Sequence, residues 1–79
     1  MRVPIEEFLP PTQAQLEMKA REAIRDNKPK LYKSLSKKEL QEMAEDMAKA
    51  TIDYAKRLGG GPQAYQTAIR MEILGVDSD

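Results

Sequence analysis

This sequence of 79 residues contains no cysteine and no histidine. Without cysteine no disulfide can staple the fold, and without either residue the usual zinc ligand sets are excluded. The same two absences remove the most common general base and the most reactive nucleophile. Its serines and threonines fall at helix caps, in the tail or on helices with no activating base beside them. Catalysis, a bound metal and a cofactor are therefore not expected. Net charge is also missing, because 13 basic residues cancel 13 acidic ones. The whole molecule thus offers no electrostatic argument for a polyanion or an anionic membrane, and any such binding has to be local. Long apolar runs are absent too: the longest, "AIRMEILGV", is interrupted by Arg70 and Glu72. That is too short and too charged for a membrane span or the core of a signal peptide. A small, soluble, cytoplasmic protein is the expectation.

What is present is enough for one small domain. Its large apolar core candidates are Leu16, Ile24, Leu31, Leu35, Leu40, Met43, Met47, Ile52, Leu58, Ile69, Ile73 and Leu74, with Tyr32, Tyr54, Tyr65 and Phe8 beside them. A chain of this size hides a smaller share of its surface than a larger one and keeps only a few kcal/mol of net stability. Self-association is a common remedy, so a homo-oligomer is one expectation.

Residues 1–11, "MRVPIEEFLPP", hold three of the five prolines and predict an extended arm. The arm is apolar, and Ile5, Phe8 and Leu9 either lie back across the helices or dock on another chain. Thr12 with Gln15 three residues on is a capping box, which predicts a helix over about 13–26. The apolar stripe of this helix is Leu16, Ala20, Ala23 and Ile24, with Met18, Arg21 and Arg25 on the opposite side. Asn27 and Pro29 interrupt it, and residues 29–34 suit a short helical turn. Ser36 and Glu39 form a second capping box, with Leu35 and Leu40 placed as a hydrophobic staple.

The second helix, about 37–58, has apolar residues at 40, 44, 47, 51, 54 and 58. Alternating steps of four and three mark it as strongly amphipathic. Glu42, Glu45, Asp46, Lys49, Asp53 and Lys56 form its solvated face, where Glu45 to Lys49 and Asp53 to Arg57 have the favourable acid-first spacing. Gly59, Gly60 and Gly61 end it, Pro62 opens a third helix over about 62–74, and Gly75 closes that. The expected fold is all-α: a small three-helix bundle over residues 12–75, with an extended arm before it and a tail, 76–79, after it.

Three features invite a functional reading. Residues 28–38 carry Lys28, Lys30, Lys33, Lys37 and Lys38, a local charge of +5 that leaves eight basic against thirteen acidic residues elsewhere. Converging lysines would suit phosphates or an acidic protein, with Tyr32 free to stack on a base. The competing reading is a joint between helices, in which Tyr32 and Leu35 are core anchors. The "GGGP" stretch lacks both the P-loop lysine and the Gly-x-Gly-x-x-Gly spacing, so it is expected to be a turn rather than a phosphate cradle. Glu72 projects onto the apolar side of the third helix near its C-terminus, a position that disfavours a carboxylate. It is expected either to pair at the core rim with Arg57, Arg70 or the arm, or to meet a basic group on a partner.

The expected function is that of a non-enzymatic protein-binding module: an adaptor, an assembly factor, or a small inhibitor of the kind phages and mobile elements encode. Its partner-binding candidates are Ile5, Phe8, Leu9, Glu42, Glu45, Lys49 and Glu72. The alternatives are a nucleic-acid binder that uses Lys28, Lys30, Tyr32, Lys33, Lys37 and Lys38, and a structural homo-oligomer seamed along the second helix.

Overall fold

The computed structural model describes residues 8–75, and its elements follow the capping signals closely. Helix α1 spans Gln13–Asn27, α2 spans Pro29–Ser34, α3 spans Lys37–Arg57 and α4 spans Pro62–Ile69, which runs into a π-helical turn at Arg70–Leu74. Both capping boxes are formed. The Thr12 N–H donates to Gln15 Oε1 at 2.9 Å and the Gln15 N–H to Thr12 Oγ1 at 3.1 Å. At α3 the Ser36 N–H donates to Glu39 Oε1 at 2.9 Å and the Glu39 N–H to Ser36 Oγ at 3.1 Å. Each box satisfies two backbone donors around the helix start, which is why these boundaries are legible locally. At the other end of α3, Gly60 has φ +77° and its N–H bonds the Ala55 carbonyl at 2.8 Å, closing the helix in the left-handed region that favours glycine.

The helices pack as a small all-α bundle. Helix α1 lies along α3, α4 folds back along the same helix, and the π turn reaches both α1 and α3. One cluster joins Leu16, Ala20 and Ala23 of α1 to Ala44 and Ala48 of α3 and Ile73 of the π turn, with Met47, Ile52 and Ile69 against it. A second gathers Ala55, Ala64, Tyr65 and Ala68, flanked by Ile52 and Tyr54. Among the described residues, seven of the eleven buried apolar ones are alanines, and the largest side chains wholly out of water are Leu16 and Thr51. Small side chains let backbones approach closely while burying little area each, so much of the larger apolar surface is left at the rim.

Several expectations are corrected by this packing. The third helix is not α-helical through 62–74: its last turn, 70–74, is π. An α-helix advances about 100° per residue, and on that count Glu72 falls among Tyr65, Ala68, Ile69 and Ile73 on the apolar side. The π turn advances each residue by less; Ile73 is buried in the core as expected, but Glu72 is exposed. Burying the isoleucine instead of an unpaired carboxylate is the favourable exchange. Leu58, expected in the apolar stripe of α3, is instead the exposed cap residue after it. The short helical turn expected at residues 29–34 is present as α2, beside the three longer helices.

Candidate functional site

The site is built where four elements meet. The C-terminal turn of α1, α2, the first half of α3 and the π turn enclose a groove of about 570 Å³. Its apolar walls are Ile24 on α1, Leu31 on α2, Met43 and Met47 on α3, and Met71 and Leu74 on the π turn. Asn27 ends α1 and Pro29 opens α2 at once, so the chain turns sharply and holds Leu31 over this opening. The π turn supplies the opposite wall. Met71 and Leu74 are exposed at the groove edge, at 38% and 44% of their full surface.

Three of the lining residues are methionines, Met43, Met47 and Met71. Methionine is unbranched and polarisable, and it adapts to irregular apolar partners at low cost. Met43 and Met47 are one helical turn apart on a single flank of α3, half-buried and in reach of a ligand. Met43 and Met47 are core candidates by periodicity, but Met71 lies 24 residues further on, so only the fold brings the three together.

The opposite flank of α3 is closed by a polar network. Gln41 donates from Nε2 to Glu17 Oε1 at 2.9 Å and to Glu45 Oε2 at 3.0 Å, while its Oε1 accepts from Arg21 Nη1 at 2.7 Å. Gln13 Nε2 donates to the other Glu17 oxygen at 3.1 Å. Two amide donors, Gln41 foremost, hold the Glu17 carboxyl below the usual glutamate range. Arg21, expected on the far side of α1, therefore reaches across to α3, and Glu45 is a half-buried acceptor in the seam. Among the described residues Glu45 makes no ion pair with Lys49, whereas Arg57 Nη2 and Asp53 Oδ2 pair at 3.1 Å. Glu42 and Lys49 are exposed on the outer face of α3.

The remaining candidates divide between the two ends of the bundle. Phe8 packs its ring on Tyr65 with centroids 5.7 Å apart and planes at 48°, so this part of the arm lies against α4. Leu9 beside it is 80% exposed, and Ile5 lies outside the described residues. Lys28, Lys30, Lys33, Lys37 and Lys38 are all exposed around α2 and its two junctions, but Tyr32, Leu31 and Leu35 among them are half-buried. The segment is thus anchored as a joint while its lysines point to solvent. Glu72 forms no ion pair with Arg57 or Arg70 and stands at the groove edge.

Among the described residues no group of three or more acidic side chains converges as a metal would require, and no helix is long and apolar enough to cross a membrane. Set against family models, curated proteins and solved structures, the chain matches none of them.

Proposed function

We propose that this protein binds another protein, receiving the apolar face of a partner helix in the groove between α1, α2, α3 and the π turn. One observation carries the reading: an opening of about 570 Å³ lined by three methionines and four branched aliphatic side chains, over a core made mostly of alanine. Grooves of this volume fit several side chains, and an amphipathic helix offers them at positions i, i+3 or i+4, and i+7. Such a module acts by occupancy and carries out no chemistry, as an adaptor, an assembly factor and a small inhibitor all do.

The test is selection of peptides from an unbiased display library on the full chain. Selected sequences are expected to share large apolar residues at helical spacing. Their affinity should fall at least about tenfold with Met71→Glu, since burying a methionine is worth roughly 1.5–3 kcal/mol. Met18→Glu, on an exposed methionine outside the groove, should leave it unchanged. Equal effects of the two substitutions, or selected peptides without that spacing, would refute the proposal.

The five exposed lysines favour one second reading, in which the α2 end of the molecule meets nucleic acid. Anisotropy of labelled single- and double-stranded DNA then shows binding that weakens steeply with salt as counterions are released. No salt-sensitive binding to either would end that reading.

A further inference from the structure

The groove has two charged residues on its lining, and they are opposite in sign. Lys28 sits where α1 gives way to α2, and Glu72 sits on the π turn. Both are exposed, and among the described residues neither side chain is engaged in an ion pair. Every other lining residue is apolar apart from Asn27 and Gly75. A ligand helix that fills the groove is therefore met by a cation from one wall and an anion from another. The nearest other charges on α1, Arg25 and Asp26, are bonded to each other at 3.2 Å and leave this pattern intact.

We infer that the partner helix presents a mixed-charge rim: an apolar stripe with an acidic residue where it meets Lys28 and a basic residue where it meets Glu72. This rests on the reading of the groove as a helix-binding site and states the chemistry of its partner. Charges at an interface rim contribute less to affinity than to choice of partner and register, because like-charge juxtaposition penalises wrong partners. Glu72 belongs to the π turn. Within it Ile73 is buried in the core and Glu72 is exposed on the groove lining.

The test uses a display library of helical peptides with a fixed leucine stripe and flanking positions varied among Glu, Lys and Gln. It is selected on the wild-type full chain, on Lys28→Glu, on Glu72→Lys and on the double variant. Both sites are exposed, so the fold tolerates the changes. Wild type should enrich peptides carrying both signs, Lys28→Glu lysine-rich ones and Glu72→Lys glutamate-rich ones, and the double variant should return to both signs. Each matched charge is expected to change affinity about two- to fivefold. Equal enrichment of Gln-flanked peptides on all four proteins overturns the charge inference and leaves the groove reading standing. Absence of any leucine-stripe binder overturns both. If the methyl signals of Met43, Met47 and Met71 shift when the protein alone is concentrated, a second copy occupies the groove, and the inference fails.

Discussion

Replacing Ala48 by leucine tests the alanine seam on which the bundle depends. Ala48 is fully buried, as are Ala20 and Ala44, and together with Ala23 they set how closely α1 approaches α3. Leucine adds three carbon atoms at a site with no exposed surface. Either α1 moves away or the new side chain takes a strained rotamer, at a cost of about 1–3 kcal/mol. Moving α1 also lengthens the Gln41 contacts to Glu17 and Arg21, now 2.9 and 2.7 Å. A domain of this length has a net stability of a few kcal/mol, so the loss is a large part of the total. At roughly 4–8 °C per kcal/mol for such a domain, a cost near 2 kcal/mol lowers Tm by about 8–16 °C. The assay is thermal and urea unfolding followed by circular dichroism, with Ala50→Leu as the control. Ala50 is only half-buried on the neighbouring face of α3 and should accept leucine at little cost. If Ala48→Leu melts within about 2 °C of wild type, α1 and α3 do not meet along these alanines.

Three further outcomes follow from single contacts. Thr51 is fully buried and its hydroxyl donates to the Met47 carbonyl at 2.7 Å, an acceptor that keeps its helical bond without it. Thr51→Val should therefore be neutral or stabilising by up to about 1 kcal/mol in urea melts, and a loss of more than that would show the hydroxyl to be needed. Gly60→Ala should cost about 1 kcal/mol through its positive φ, since no atom lies within 4 Å of an added Cβ; an unchanged midpoint would refute the strain argument. The folded-state pKa of Glu17 is depressed, so its stabilising effect is present above the unfolded value and is lost as pH falls through the folded one. The stability difference between wild type and Glu17→Gln should thus shrink between pH 7 and pH 3, and a constant difference would remove Glu17 from the network's account.

Helix starts and stops were written locally and could be read without a fold. The pairs Thr12 with Gln15 and Ser36 with Glu39, Pro29 and Pro62 in first turns, and glycines at 59, 60 and 75 act over a few residues of backbone, so neighbours in sequence suffice. The all-α class followed from periodicity of the same short range. Tertiary structure alone decided three things: that alanines rather than leucines form most of the core, that Gln41 draws Arg21, Glu17 and Glu45 into one seam, and that residues 70–74 widen into a π turn. Each depends on which side chain from a distant element occupies the same space. The π turn illustrates the reason: on one helix, Glu72 inward is only an awkward projection, but against Ala44 and Ala48 it would bury an unpaired carboxylate. In the π turn Ile73 is buried against those alanines, while Glu72 is exposed on the groove lining.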